Sequence, residues 1–338
     1  MKSKRFAQHT FSVVAFAMCI STSFAEEKKI ELPTGTGADG ATYSTMHKQW
    51  VEACPAFSMP EYKVTEPGTN KLRNNNGTVE NLQGLLSNQI VMGYAQADAV
   101  WNLAQKDPNV QNLRVLAVLY PEAVHVLTTS SPAVIKVPGK VFGTNDVTKS
   151  LNTVADLSGL TVAAWGGSYV TAGIISQHIM GSTLKVVEVQ NKEEAFTKLK
   201  SGEVQAIVAV GGYPVKWMEQ LGSEYKLLPF PKAMRDKVGT SYSDAKLTYT
   251  RMGANGIESG ETTSILLAQN FGPKKARVIT EAFDCMVENL EDLRDTTGKH
   301  PAWKKVDPEK TTSILPKFPF VRTAGAPNAP SVAPAKKK

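Results

Sequence analysis

Three segments of the chain repeat the same order of hydrophobic and polar positions. Each has a short apolar, β-rich run, then a turn of small residues, then a helical pattern. The segments read QIVMGYAQADAVWNLAQK, LTVAAWGGSYVTAGIISQHI and VQAIVAVGGYPVKWMEQL. Strand–turn–helix units of this kind build parallel sheets covered by helices, and ligands bind beyond the carboxyl ends of such strands. The pattern therefore predicts an α/β fold with its binding site at these turns.

The other apolar segments predict how the chain passes between units. Arg114–Ser130 reads as two strands broken at Pro121, and a stretch rich in Pro, Gly, Asn and Thr follows as a passage between domains. Thr262–Asn270 is a further apolar strand. The next segment predicts a long amphipathic helix. Its apolar face carries Phe283, Met286, Val287 and Leu290.

The N-terminal segment has the three parts of a secretory signal peptide. Lys2, Lys4 and Arg5 precede a short apolar stretch with a small-x-small motif that ends at Ala25. This stretch is too short to span a bilayer. We therefore predict cleavage after Ala25, a mature chain that begins at Glu26, and a periplasmic location. A permanent N-terminal anchor is the weaker interpretation.

Charge and composition argue against a nucleic-acid partner. The formal net charge of +7 falls to +4 without the signal peptide, and part of the remainder lies in the terminal Lys336–Lys338. A nearly balanced body with no stripe of basic and aromatic residues does not indicate nucleic-acid binding. The end of the chain is rich in Pro and Ala, and we predict that residues 315–338 form a disordered tail.

Two cysteines remain after removal of the signal peptide, Cys54 and Cys285. In an oxidising compartment, such a pair suggests one disulfide bond. The alternative is two separate buried thiols.

Five turns between predicted strands and helices are rich in Gly, Ser, Thr, Asn or Gln. The first has G-x-G-x-x-G spacing at Gly35, Gly37 and Gly40, which resembles a dinucleotide-binding turn. A secreted protein rarely meets NAD, and the acidic residue that such a unit needs about 20 residues later is not convincing here. Helix N-termini with free N–H groups instead suit a carboxylate or phosphate. For each turn the alternative is an ordinary helix cap. The turns are Thr34–Tyr43, Asn74–Asn81, Gln96–Asp98, Trp165–Thr171 and Gly211–Tyr213.

Sequence signals for catalysis, metals and cofactors are weak. A G-x-S-x-G motif is absent, and no histidine has metal-ligand spacing to a cysteine or another histidine. We therefore predict no catalytic residue, no metal site and no cofactor. A secreted enzyme remains an alternative, which a turnover screen separates from a binding protein.

A series of motifs resembles the TAXI-type solute receptors of tripartite ATP-independent periplasmic (TRAP) transporters. GTGADGATY is similar to the family's GTG-x-x-GTYY segment, and NNNGTVENLQGLLSNQIVMGYAQADAVW is similar to its TGGSVENL…QSD block. LRVLAVLYPEAVHVL resembles the family's hinge region, and VADLSGLTVAAWGGSYV resembles its DLKGK block. ENLEDLRDTTGKHPAWKKVD is similar to its C-terminal region. The resemblance runs from Pro33 to Pro308, and the order and spacing of the motifs carry it.

The resemblance implies a type II periplasmic-binding-protein fold, in which two α/β domains close on a small ligand around a hinge. One domain is expected to comprise residues 26–128 and 260–314, and the second residues 129–259. The implied function is capture of a small organic anion (a carboxylate, amino acid or 2-oxo acid) by a monomer, for delivery to a TRAP membrane permease. The alternatives are the receptor of an ATP-driven importer and a sensory adaptor.

The turns and the resemblance together predict a ligand site built from backbone N–H groups, hydroxyls and amides. Trp165 and Tyr169 are bulky where the family has small residues, which favours a bulkier or aromatic acid. The alternative is that Trp165 packs outside the site. The predicted ligand-binding residues are Thr36, Gly37, Tyr43, Asn76, Thr78, Gln96, Trp165, Gly167, Ser168, Tyr169 and Gly212.

Overall fold

The computed structural model describes residues 30–66, 68–138 and 144–322. The predicted signal peptide and the last residues of the predicted tail lie outside these ranges. The α-helices are α1 (Thr42–Ala53), α2 (Thr78–Leu86), α3 (Ala97–Ala104), α4 (Gly166–Ile174), α5 (Lys192–Lys200), α6 (Lys232–Arg235), α7 (Pro273–Glu288) and α8 (Leu290–Asp295). The strands are β1 (Thr34–Gly35), β2 (Lys63–Thr65), β3 (Leu72–Asn74), β4 (Met92–Gln96), β5 (Leu113–Thr129), β6 (Ala133–Pro138), β7 (Thr144–Lys149), β8 (Thr161–Ala164), β9 (Lys185–Glu188), β10 (Ala206–Gly212), β11 (Tyr225–Leu227), β12 (Ser243–Tyr249) and β13 (Ala254–Gln269).

A mixed sheet organises the chain. Its strand order is β1–β4–β13–β5–β10–β8–β9, with β11 beside β5 and β12 beside β13. β1 is parallel to β4, and β8 is parallel to both β9 and β10, as the strand–turn–helix pattern predicts. The two long strands, β5 with 17 residues and β13 with 16, run antiparallel to each other at the centre of the sheet.

The predicted break at Pro121 does not occur. β5 continues through this position, and Pro121 lies opposite Thr263 of β13. The pairing register between the two strands shifts between Thr263 and Ile265. Proline has no N–H to donate, so it is tolerated where the ladder is already irregular. The prediction of two separate strands is therefore wrong, and one continuous strand passes from one half of the molecule to the other.

The hydrophobic core is divided between two lobes. In the first lobe, α1, α7 and α8 cover one face of the sheet around Trp50, and α2 and α3 cover the other face around Leu85. In the second lobe, α4 and α6 pack around Phe230, and α5 packs on the opposite face around Ile207. The N-terminal half of β5 packs in the first lobe and its C-terminal half in the second. Two α/β lobes joined by continuous strands confirm the predicted type II periplasmic-binding-protein fold.

Helix α7 belongs to the first lobe, although it follows the second lobe in sequence. Its residues Ile279, Phe283 and Met286 are buried at helical spacing. The Trp50 indole N–H of α1 donates to the Ala282 carbonyl over 3.2 Å. Within the described ranges, no helix has the length and apolar character that a membrane crossing requires.

The segment Leu315–Arg322 also packs on the first lobe, so the prediction of disorder from residue 315 is wrong for these residues. Leu315 and Phe318 are buried, and the Phe320 ring stacks on Phe283 with 4.8 Å between centroids. The apolar residues of segment 315–322 follow neither the helical period nor the strand period consistently, so hydrophobic periodicity in the sequence does not predict that this segment packs.

A disulfide bond joins Cys54, directly after α1, to Cys285 of α7. The S–S distance is 2.11 Å and the Cα atoms are 6.1 Å apart. The predicted bond is confirmed, and the alternative of two separate thiols is wrong.

Loss of this disulfide should lower the free energy of unfolding. The two cysteines are 231 residues apart in sequence, and the chain-entropy model assigns a loop of this length up to about 5 kcal/mol. We expect a Cys54→Ala/Cys285→Ala variant to unfold at a lower guanidinium concentration than the oxidised protein. Reducing agent should lower the stability of the wild type and leave the variant unchanged. Equal unfolding midpoints for the oxidised wild type and the variant would contradict this assignment.

Candidate functional site

A cavity of about 290 Å³ lies between the lobes, at the carboxyl ends of the parallel strands. Both lobes contribute to its wall, as the predicted cleft requires. The lining residues are Gly37, Ala38, Ala41, Thr42, Tyr43, Asn76, Gly77, Thr78, Gln96, Tyr120, Glu122, Trp165, Gly166, Gly167, Ser168, Gln190, Asn191, Lys192, Val210 and Gly211.

Five helix N-termini converge on this cavity. The first residues of α1 and α2 and the N-cap residue of α3 line it from the first lobe, and the first residues of α4 and α5 line it from the second. In the described chain, the N-cap residues of α1, α2 and α4 make no side-chain capping hydrogen bond, whereas Asn191 caps α5. In α3 the Asp98 N–H already donates to Thr262 Oγ1 and the Ala99 N–H to Asp98 Oδ1. Uncapped N–H groups and the positive ends of helix dipoles attract negative charge. The cavity is therefore suited to a small anion.

Glycines at the start of α4 let the two lobes approach each other closely. Gly166 has a φ of +51°, and a Cβ there would lie 2.9 Å from the backbone carbonyl oxygen of Asn76 in the first lobe. A Cβ on Gly167 would overlap with the side-chain oxygen of Gln96. Because these contacts join different lobes, the glycines permit closure of the cleft.

A buried carboxyl group, that of Glu122, lies on β5 where this strand passes between the lobes. The Tyr43 hydroxyl donates to Glu122 Oε2 over 2.8 Å, and the Tyr120 hydroxyl lies 3.5 Å from Oε1. The pKa of Glu122 is raised to about 8, mainly because burial disfavours the charged form; the Tyr43 and Tyr120 hydroxyls oppose the shift, and the Asp98 carboxyl adds to it. Glu122 is therefore mostly protonated at neutral pH while the cavity holds no cation.

Hydrogen bonds hold the polar groups of the cavity wall in place. The Gln96 N–H donates to Thr78 Oγ1 over 3.2 Å, and the Val210 N–H donates to Ser168 Oγ over 2.9 Å. Ser168 thereby keeps its hydroxyl hydrogen for another acceptor. Gln96 Oε1 is buried and has no hydrogen-bond partner among the described residues.

An aromatic wall closes the second-lobe side of the cavity. Trp165 lines it and packs against Trp217, with 6.4 Å between ring centroids. Lys192 Nζ lies 5.8 Å from the centroid of the Trp217 ring. Trp165 therefore lines the cavity between the lobes rather than packing away from it.

The structure brings eight of the eleven predicted site residues together around the cavity and leaves three away from it. Thr36 is fully buried, and its hydroxyl donates to Glu61 Oε1 over 2.9 Å. Tyr169 follows Ser168 on α4 and packs against the core of the second lobe, because successive helical residues point about 100° apart. Gly212 faces the Tyr120 ring, whereas its neighbour Gly211 lines the cavity. The eight are Gly37, Tyr43, Asn76, Thr78, Gln96, Trp165, Gly167 and Ser168.

Sequence reasoning missed several residues of the cavity wall. Glu122 lies inside the LYPEAVH segment that carries the family resemblance, yet nothing in that segment indicated a carboxyl in the cavity wall. Asn191 and Lys192 begin α5, and the sequence NKEE has the N-cap and early acidic residues of a helix start. A search for helix starts along the whole chain would have found this second-lobe turn.

Asp98 links the lobes beside the cavity. Its Oδ2 accepts hydrogen bonds from the Thr171 hydroxyl of α4 at 2.7 Å and from the Tyr242 hydroxyl at 2.8 Å. Asp98 lies in α3 of the first lobe and is fully buried, which raises the pKa of its carboxyl. The Thr171 bond joins α3 directly to α4, and both bonds hold the two lobes together beside the cavity.

No protein family model matches the chain. Among solved structures, it is similar to the substrate-binding protein of an amino acid ABC transporter, with 12% identity over 78% of this chain and 94% of that one, and a TM-score of 0.43. The GluR0 ligand-binding core from Nostoc punctiforme in complex with L-glutamate has 13% identity over 80% and 100% of the two chains, with a TM-score of 0.45. The arginine-, lysine-, histidine-binding protein ArtJ from Geobacillus stearothermophilus has 13% identity over 81% and 97%, with a TM-score of 0.47.

A Gly166→Ala substitution should weaken ligand binding by about tenfold, equivalent to about 1.4 kcal/mol. Its Cβ meets the Asn76 carbonyl only when the lobes are closed, whereas the strain of a positive φ affects the open and closed states alike. Gly173→Ala, in the same helix, is the matched control because its Cβ meets no atom within 4 Å. Calorimetric titration of both variants should show a loss of affinity in Gly166→Ala alone. The same affinity in the two variants would argue against this role for Gly166.

The stability of the protein should depend on pH through Glu122. Its folded-state pKa is about 8, above the unfolded value of about 4.3. The contribution of Glu122 to the free energy of unfolding is therefore fully present below its unfolded pKa and is lost as pH rises toward its folded pKa. As pH rises from about 5 to 7, the free energy of unfolding of Glu122→Gln should increase relative to that of the wild type by up to about 1.4 kcal/mol per pH unit. Urea unfolding of both proteins across this range measures the difference, and a constant difference would refute the assignment.

Proposed function

We propose that the protein is an extracytoplasmic solute-binding receptor that captures a small organic anion between its two lobes. The observation that carries this proposal is the convergence of five helix N-termini from both lobes on one cavity. A carboxylate placed there receives backbone N–H bonds and favourable helix dipoles without needing an arginine. Tyr43 and Trp165 frame the body of the ligand, which is a carboxylate, an amino acid or a 2-oxo acid.

Ligand binding in this proposal shifts the lobes from an open to a closed arrangement. A ligand shifts such an equilibrium only when its affinities for the two states differ, so it must contact both lobes. Gln96 and Thr78 supply contacts from the first lobe, and Gly167 and Ser168 supply them from the second. Closure also brings Asp98 into contact with its partners on the second lobe.

The proposed partner is a TRAP membrane permease, in keeping with the order of motifs along the chain. The alternative is an ATP-driven importer, the kind of transporter named for one of the similar solved structures. A sensory adaptor is a further alternative.

Uptake of labelled ligand by cells that express the protein with its neighbouring genes distinguishes the two transport mechanisms. Vanadate should stop ATP-driven uptake, whereas ionophores should stop uptake through a TRAP permease.

The binding function is tested by native mass spectrometry and a thermal-shift screen of carboxylates, amino acids and 2-oxo acids. A true ligand should raise the melting temperature, because it binds the folded state, and should be recovered chemically unchanged. The same ligand at saturation should reduce the radius of gyration in small-angle X-ray scattering. A ligand that produced no compaction would contradict the closing cleft, and a ligand converted to product would indicate an enzyme.

A further inference from the structure

Two hydrogen-bond acceptors lie on the first-lobe side of the cavity. Gln96 ends β4 opposite Ser264 of β13, and Glu122 of β5 lies opposite Thr262 of the same strand. Residues two apart in a strand share one face of the sheet, so Gln96 and Glu122 project from the same face. Both line the cavity, and both are about 95% buried or more.

Neither acceptor is saturated by the protein. Gln96 Oε1 has no donor among the described residues, although a buried carbonyl oxygen without a partner is costly. Glu122 accepts one short bond from Tyr43 at 2.8 Å and a long one from Tyr120 at 3.5 Å. A carboxylate has about four lone-pair positions, so acceptor capacity remains at both of its oxygens.

We propose that Gln96 Oε1 and the Glu122 carboxylate bind a positively charged amino group of the ligand, so that the solute is an amino acid rather than a simple or 2-oxo acid. This inference rests on the proposed function and narrows it. The carboxylate of the ligand occupies the helix N-termini, and its ammonium supplies the donors that these two oxygens lack. A 2-oxo acid has a carbonyl oxygen at this position, which can accept a hydrogen bond from protonated Glu122 but supplies no donor to Gln96 Oε1 and no positive charge to pair with the Glu122 carboxylate.

The charges around Glu122 make this recognition proton-coupled. The titratable groups that face it are Tyr43 from α1, Tyr120 from its own strand and Asp98 from α3. Lys192 is the cationic side chain among the described residues that line the cavity. With a pKa of about 8, Glu122 carries a proton at neutral pH before the ligand binds. An adjacent ammonium favours the carboxylate, so the proton passes from Glu122 to the buffer as the ion pair forms.

Calorimetry with matched ligand pairs tests the proposal. The probes are L-phenylalanine with phenylpyruvate, L-leucine with 4-methyl-2-oxopentanoate, and L-glutamate with 2-oxoglutarate. Titrations at pH 7 in buffers of different ionisation enthalpy give the number of protons released. For the amino acid that binds, we expect release of about 0.9 proton per site, the protonated fraction of a group one pH unit below its pKa. Its 2-oxo partner should bind at least tenfold more weakly, without proton release.

Two variants distinguish binding of the ligand's ammonium by Glu122 from a merely structural role of this residue. Glu122→Gln keeps the shape of the side chain but has no proton to lose, so proton release should vanish and amino acid affinity should fall. Glu261→Gln is the matched control, because Glu261 lies on β13 outside the cavity and its carboxyl pKa is also raised by burial. It should keep both the affinity and the proton release of the wild type.

The outcomes distinguish this inference from the proposed function. Equal or tighter binding of the 2-oxo acid, or amino acid binding without proton release, overturns the inference and leaves the receptor function standing. Proton release that persists in Glu122→Gln also overturns it. Failure of the wild type to bind any small organic acid in the thermal-shift screen overturns the receptor function itself, and this inference with it.

Discussion

The antiparallel pairing of β5 with β13 is the interaction on which the arrangement of the molecule depends. These strands carry the chain between the lobes within one hydrogen-bonded sheet, so the lobes cannot separate without breaking the ladder. The same pairing places Glu122 beside Thr262 at the base of the cleft. The junction of the lobes and the base of the candidate site are therefore the same few residues, and lobe movement changes the environment of the cavity directly.

Polar groups buried between the lobes make the closed arrangement specific. Asp98 and Glu122 are both buried, and burial of an ionised carboxylate without partners would be strongly unfavourable. Asp98 obtains its donors from Thr171 and Tyr242 on the second lobe, whereas Glu122 obtains its donors from Tyr43 and Tyr120 on the first. The hydrogen bonds of Asp98 therefore join the two lobes, whereas those of Glu122 lie within the first lobe.

The backbone geometry at the start of α4 also allows close contact between the lobes. Gly166 and Gly167 lie where a side chain would strike the first lobe, so the N-terminus of this helix reaches the cavity with its N–H groups exposed. Trp165 directly precedes them and forms the wall instead. One short turn therefore supplies close lobe contact, a helix N-terminus without a side-chain cap and an apolar surface.

Local sequence patterns predicted the α/β class, most of the strand–helix turns and one disulfide between Cys54 and Cys285, although Gly211–Tyr213 is followed by a short 3₁₀ turn and not by the expected helix. These features follow from hydrophobic periodicity, glycine-rich turns and the number of cysteines, all of which can be read from the sequence without knowing which distant residues meet. The tertiary structure decided which side chains of each turn reach the cavity. Tyr169 and Gly212 adjoin residues that line it but point elsewhere, because helical and strand periods rotate neighbouring side chains apart. It also decided that Glu122 meets Tyr43, 79 positions earlier in the chain, since only sheet pairing and packing bring such distant groups within hydrogen-bond distance.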